Sequence, residues 1–319
     1  MSSKMECKPG KIAVVGVGNL GSATAYTLLL KGLAAEIILI DISEKKAEGE
    51  CMDLCHAVPF SCETQIRVGK CEDCAGCAIV IVAGGENEKP GQSRMDLVSE
   101  NAKIMQDVIP KIARSSPEAI LLIATNPVDV MTSLAQKLSG FPAQRVIGSG
   151  TLLDSARFKC NLGKYFKISS KDVNAFVVGE HGDSQVPVWS LASIAGMRLS
   201  DYCEQSGTNY DKAALHKIYE QTRDASSKII ECKGSTAYST AAGLAQIVSA
   251  ILKDEGVLLP VSTVGDYYGV KNISMSVPVK VGCNGAQHVV KLPLQDEEMK
   301  AVQKSAEIIK SVCKQAGCE

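Results

Sequence analysis

The sequence has no apolar run near the roughly eighteen residues that a membrane span requires. Its first residues, Met1 to Lys11, contain no signal-peptide core. Neither charge is in excess: 34 Lys and Arg stand against 35 Asp and Glu, a net charge of −1. That balance argues against a nucleic-acid partner and against a polybasic membrane contact. Internal repeats and low-complexity linkers are absent, and composition excludes disordered, collagenous and coiled-coil classes. Histidine is scarce, with four in 319 residues. What remains is 45 % apolar and 22 % charged, an ordinary globular composition, long enough for about two domains. A cytoplasmic location is expected.

Cysteine is the exception to this scarcity, with thirteen in the chain. A chain of this size without a secretion signal has no need of disulfide staples, so free thiols are expected. Cys71, Cys74 and Cys77 have C-x-x-C-x-x-C spacing. An iron–sulfur reading wants a fourth cysteine soon after, followed by proline, but Ile81 stands there in an apolar run. A zinc reading needs a further ligand such as Cys62 or His56. The plainer reading is small residues on a short helix before a strand, and no metal is expected.

Apolar runs recur through the first half: Lys11–Val15, Ile37–Ile40, Ala78–Ala83, Ile120–Ala124 and the pair Val146–Ile147. Helical segments separate them. This pattern predicts a doubly wound parallel sheet buried on both faces. Ile104, Val108 and Ile112, with Met105 and Ile109, make one face of the helix before Ile120, which Pro110 is expected to interrupt. Met299, Val302, Ala306, Ile309 and Cys313 do the same in the last helix, whose first turn carries Asp296, Glu297 and Glu298. After about residue 150 the rhythm changes. Runs such as Ala175–Val178 and Met275–Val281 no longer alternate with helices, which predicts a second, α+β domain. The division is drawn at 1–150 and 151–319, with the two halves tightly packed.

Gly16-Val17-Gly18-Asn19-Leu20-Gly21 reads G-x-G-x-x-G between a strand and a helix, and Asp41 closes the next strand. In that context the motif binds a dinucleotide. Gly16 allows the tight turn, Gly18 admits the pyrophosphate, and Gly21 lets helix pack on strand. Asn19 and Leu20 open a helix whose N-terminus faces the phosphates. Asp41 accepts from ribose hydroxyls and repels a 2′-phosphate, which selects NAD over NADP.

His181 lies in Val-Gly-Glu-His-Gly-Asp after an apolar run. Asp154 and Arg157 sit at i and i+3 of a predicted helix, on one face. Asn126-Pro127-Val128-Asp129 follows the run ILLIA, at the sheet edge where ligands bind. Lys89 to Arg94 (KPGQSR) forms a polar loop suited to be a lid. Together GVGNLG, KPGQSR, NPVD, GSGTLLDSARF and GEHGDSQVPVWS, in this order, resemble the L-lactate/malate dehydrogenase family over essentially the whole chain.

That resemblance implies an NAD-dependent L-2-hydroxyacid dehydrogenase, of the lactate rather than the malate kind. It implies His181 as acid/base and Asp154 as the carboxylate that orients it. Arg157 is implied as a bidentate grip on the substrate carboxylate. Arg94 on the lid would polarise the carbonyl. Asn126 would lie near the same oxygen and the cofactor, and Thr236 would line the pocket. A small 2-oxo or 2-hydroxy acid is the expected partner, and a dimer or tetramer the expected assembly. The short segment before the first strand is expected to lack the tetramerising arm of some relatives. Phe176 stands where the family's sugar-bisphosphate site would need a basic partner for Lys159, so no such activation is expected.

The sequence departs from the resemblance at Glu88, where lactate enzymes carry Gln and malate enzymes Arg. At about 5 Å and an effective dielectric near 20, two like charges cost about 3 kcal/mol, roughly a hundredfold or more. A dicarboxylic substrate is therefore disfavoured. Glu88 either faces solvent, or is neutralised by a neighbour such as Lys89, or selects a 2-oxo acid with a polar or cationic tail. A non-catalytic nucleotide-binding or structural protein of the same fold is the reading from another class. Glu88→Arg is expected to create oxaloacetate reduction, and Glu88→Gln to raise pyruvate reduction. An unchanged substrate profile in both variants places Glu88 outside the pocket.

Overall fold

The computed structural model describes residues 10–86 and 94–318, with side chains from residue 97 onward in the second stretch. The lid segment, with Glu88 and Lys89, lies outside the described residues. Arg94 begins a helix, and its side chain is likewise outside them.

Six strands run parallel: β1 (Gly10–Val15), β2 (Ala34–Ile40), β3 (Gln65–Val68), β4 (Ile79–Val82), β5 (Ile120–Ile123) and β6 (Val146–Gly148). Helices α1 (Asn19–Leu30), α2 (Glu44–Ala57), α3 (Arg94–Ser115) and α4 (Val128–Ser139) connect them. The strand order 6-5-4-1-2-3 is that of a doubly wound sheet, and the direction of winding reverses between β1 and β4. Every residue of β4 and β5 is buried, as continuous apolar runs covered on both faces require.

The helix α5 (Leu152–Phe166) follows β6. Short strands β7 (Val173–Asn174), β8 (Val177–Val178), β9 (Val186–Pro187), β10 (Ser193–Ile194) and β11 (Met197–Arg198) come next. Four helices succeed them: α6 (Leu199–Ser206), α7 (Lys212–Arg223), α8 (Ala225–Lys233) and α9 (Tyr238–Leu252). Strands β12 (Val257–Tyr267), β13 (Val270–Gly282) and β14 (Gly285–Val289) then form an antiparallel meander, and α10 (Asp296–Gln315) is the last described helix. The meander does not stand apart. β12 pairs with β6 at Ser262 and Gly148, so one nine-stranded sheet runs through both halves.

The large core follows that sheet. A second, smaller core gathers Phe158, Leu162 and Phe166 of α5 with Leu215 and Ile218 of α7. Trp189 packs edge-on against Phe158, with ring centroids 4.8 Å apart. Three readings of the sequence need amending. Pro110 does not break α3, which continues from Arg94 to Ser115 with Met105, Ile109 and Ile112 buried. The run Ala175–Val178 yields only the two-residue β8. β3 was not expected: its sequence QIRV is half polar, and Arg67 there pairs across the sheet with Glu36 at 2.8 Å. Cys71–Cys74 form a short 3-10 turn ahead of β4, as the plainer reading of the cysteine cluster has it.

Candidate active site

Because β1 to β6 are parallel, the loops after them open on one edge of the sheet. The loop after β1 is the tightest. Gly16 has φ +89°, and a Cβ there would fall 2.2 Å from the Gly84 Cα, so two backbones touch where the loops after β1 and β4 meet. A Cβ on Gly21 would lie 1.9 Å from the Gly16 carbonyl oxygen. Gly18 differs: the nearest atom to a Cβ placed on it is the Lys46 Nζ, at 3.9 Å. Its open side is the approach that a pyrophosphate needs. Gly18 also caps α1 without a side-chain hydrogen bond, so the first-turn amides of Asn19 and Leu20 are not answered by a capping side chain.

The Asp41 carboxylate accepts from Val17 N and Ser43 N, both at 2.9 Å. It therefore ties the glycine loop to the end of β2, and each oxygen keeps a second lone pair for a ribose hydroxyl. Leu20 packs its half-buried side chain on the core, while Asn19 is exposed and donates to Ser235 Oγ at 3.0 Å. NAD fits these residues. Lys46 was missed from the sequence, and the signal available was its place one turn into the helix that follows Asp41.

A second cluster forms where β5, β6 and β8 end. β8 leads into Gly179, Glu180 and His181, and this turn is held at each residue. Gly179 N donates to Ser276 O, and Ser276 N donates to Gly179 O. Glu180 N donates to Ser305 Oγ on α10 at 2.8 Å. His181 N donates to Asp129 Oδ2 on α4 at 2.7 Å. The imidazole Nδ1 lies 2.6 Å from Asp154 Oδ2 on α5, which leaves Nε2 for chemistry when Nδ1 carries the proton. Ser155 secures α5 to the same strand by accepting from Val177 N at 2.9 Å.

Asp154 is 2 % exposed and Arg157, one turn on, is 10 % exposed, with Nη1 3.2 Å from Asp154 Oδ1. Among the described residues the buried Arg157 Nη2 has no hydrogen-bond partner, so this guanidinium has donor capacity that they leave unused. Burial would push the Asp154 carboxyl up, but His181 and Arg157 outweigh it and hold it below the usual carboxylate range. Burial likewise pulls His181 down, and the adjacent Asp154 outweighs it, so the imidazole sits above its ordinary pKa. Asp129 is raised, chiefly by burial, despite hydrogen bonds from Ser262, His181 and Ser276.

The other expected residues lie around these two clusters. Asn126 is exposed just after β5, and its carbonyl accepts from Asn101 Nδ2 at 2.8 Å. Asn101 is buried on α3 and also accepts from Glu86 N at 2.7 Å, so it joins the loops after β4 and β5. Thr236 is half-buried in the connection from α8 to α9, next to the Ser235 that touches Asn19. Among the described residues neither Asn126 nor Thr236 is hydrogen-bonded to His181, Asp154 or Arg157. Asp129 and Asn101 were not recognised as site residues in the sequence. The signal for Asp129 was a lone carboxylate in the apolar first turn of α4. Lys159 and Phe176 do meet, with the Lys159 Nζ 5.8 Å from the ring centroid. Among the described residues no three His, Cys, Asp or Glu gather as a metal would need.

Comparison with known proteins agrees with this geometry. The lactate/malate dehydrogenase NAD-binding domain matches residues 10–148, and the α/β C-terminal domain of the same family matches residues 151–318. The chain is 47 % identical over 307 residues to a probable L-lactate dehydrogenase of Schizosaccharomyces pombe, covering 96 % of this chain and 93 % of that one. It is 44 % identical over 305 residues to an L-lactate dehydrogenase of Acetivibrio thermocellus, covering 95 % and 96 %. A solved ligand-bound minor L-lactate dehydrogenase from Enterococcus mundtii superposes with a TM-score of 0.92 at 34 % identity, covering 96 % and 98 %. The fold and site define an NAD-dependent dehydrogenase. The chain belongs to the lactate/malate dehydrogenase family.

Asp129 fixes the height of His181 through the main chain. Asp129→Asn replaces one acceptor oxygen by a donor, and a displacement of about 1 Å costs up to roughly a hundredfold in rate. We expect kcat/KM to fall about tenfold to a hundredfold in steady-state assays, with NADH affinity within about twofold of the parent. An unchanged kcat/KM removes Asp129 from the account.

Proposed function

We propose that the chain interconverts L-lactate and pyruvate with NAD. The observation that supports this most is the buried cluster of Asp154, His181 and Arg157, in which one carboxylate engages an imidazole and a guanidinium with a donor that no described residue uses. On this reading Arg157 grips the substrate carboxylate with paired N–H donors. His181 Nε2 takes the hydroxyl proton in oxidation and returns it in reduction. Asp154 keeps the proton of Nδ1 in place and stabilises the imidazolium. Bound NAD supplies the hydride acceptor, and NADH the donor.

The remaining roles belong to the same reading. Gly16, Gly18, Gly21, Asn19, Leu20 and Asp41 hold the dinucleotide, Lys46 neutralises its phosphates, and Asn126 lies between cofactor and substrate. Arg94 polarises the carbonyl oxygen when the lid closes, Thr236 lines the pocket, and Glu88 turns dicarboxylates away. Residues 1–150 act as the cofactor domain and 151–319 as the substrate domain. The chain works as a homo-oligomer. Exposed Tyr26 and Tyr238, which line a cavity of about 580 Å³ beside α1 and α2, offer a second copy an apolar surface. A cytoplasmic location accords with the twelve described cysteines, none of which is joined to another by a disulfide. The second reading, a 2-oxo acid with a polar or cationic tail, is favoured by Glu88 alone.

A panel of 2-oxo acids with NADH tests both readings. Pyruvate is expected to give the highest kcat/KM, and a cationic 2-oxo acid doing so would favour the second reading. His181→Asn is expected to abolish turnover while NADH still binds. The raised pKa of His181 sets the pH response: the imidazolium, needed for reduction, persists above the ordinary value near pH 6.5. Pyruvate kcat/KM is therefore retained above the pH at which a free imidazole loses its proton and falls as pH rises past the raised pKa, while lactate kcat/KM rises. NADH binding with no turnover of any 2-oxo acid would leave only a non-catalytic role.

A further inference from the structure

The end of α10 is closed by a pair of main-chain hydrogen bonds. Gly317, at φ +72°, donates to Lys314 O at 3.3 Å, and Cys318 N donates to Cys313 O at 2.9 Å. This is the Schellman closure, in which the residue after the glycine meets the residue five positions before it, normally as an apolar contact. Here both of those residues are cysteines. Standard backbone geometry on either side of the 2.9 Å bond keeps the two Cα atoms within about 6.8 Å. A disulfide spans Cα atoms about 4.4–6.8 Å apart. The two thiols already hydrogen-bond each other.

The pair is also reachable. Cys313 is buried and Cys318 half-buried, yet both line one cavity of about 170 Å³ together with Lys271 and Lys310. Lys137, on α4, donates to the Gly317 carbonyl at 3.0 Å and adds a third positive charge nearby. The hydrogen bond to Cys313 and then burial push the Cys318 thiol up, while Lys137 opposes them. The three lysines favour an anionic reactant, and the attacking species is the small thiolate fraction that the raised pKa of Cys318 leaves.

We propose that Cys313 and Cys318 form a dithiol–disulfide site that reacts with an anionic small-molecule disulfide of the glutathione disulfide class. The Cys318 thiolate attacks one sulfur of the reagent, its S–S bond breaks, and the first thiol leaves with the proton lost by Cys318. The Cys313 thiolate then attacks the Cys318 sulfur, displacing the second thiol, which takes the proton of Cys313. Two cysteine thiols are oxidised by two electrons and one small disulfide is reduced to two thiols. The bridge replaces the contact of Cys318 Sγ with the Val130 carbonyl at 3.6 Å and locks the cap of α10.

Equilibration of the full chain in buffers of graded reduced and oxidised glutathione, followed by acid quench, alkylation and peptide mass analysis, tests this. The expected product is a protein disulfide joining the peptides of Cys313 and Cys318, lighter by two hydrogens than the reduced pair and reversed by dithiothreitol. In Cys313→Ser, Cys318 should instead retain a glutathione mixed disulfide. Independent alkylation of both thiols across the whole series overturns the proposal, as does a mixed disulfide in the parent chain that never resolves to the bridge.

Discussion

A carboxylate with 2 % of its surface exposed, as Asp154 has, is tolerated inside a protein only when its charge is answered. His181 answers one oxygen at 2.6 Å and Arg157 the other at 3.2 Å. Removing one member of such a buried set costs about 3–5 kcal/mol, because the others are left uncompensated. The three groups consequently fix one another: the carboxylate orients the imidazole and raises its pKa, and the imidazole and guanidinium hold the carboxyl below its usual range. On the proposed reading this arrangement has chemical use, because the proton that Asp154 holds on His181 above its ordinary pKa is the one moved to the reacting oxygen.

The scaffold brings these groups together from distant parts of the chain. β6 delivers α5 with Asp154 and Arg157, β5 delivers α4 with Asp129, and β8 delivers His181. The nine-stranded sheet passes through both halves, and Ser276 of β13 holds both the turn before His181 and the start of α5. Ser305 of α10 holds Glu180 from behind. The glycine-loop edge of the sheet and the Asp154–His181–Arg157 cluster are thus parts of one framework.

The parallel sheet was legible in the sequence because its strands are short unbroken apolar runs, a pattern that burial on both faces demands. The glycine loop was legible because close backbone approach fixes its residue types and spacing, and Asp41 ties that loop to the end of β2. Asp154 and Arg157 were legible as one helix face. β3 was not, because half of QIRV is polar and its pairing is stabilised by an Arg67–Glu36 contact across strands. Asp129, Asn101 and Lys46 escaped notice for a common reason. Each acts on a segment far along the chain, His181 being 52 residues from Asp129, and no local periodicity encodes such a contact. The cysteine pair at the end of α10 became meaningful only once Gly317 was seen to fold Cys318 back on Cys313.

The most direct test of the central claim is the titration of His181 itself, followed by NMR in ¹⁵N-histidine-labelled protein and identified by the signal lost in His181→Asn. With four histidines in the chain, the spectrum is simple. His181 is expected to titrate above the ordinary value of about 6.5, and lower in Asp154→Asn than in the parent, because burial and Arg157 are then opposed by Asp129 alone. An identical titration in the two proteins would contradict the account.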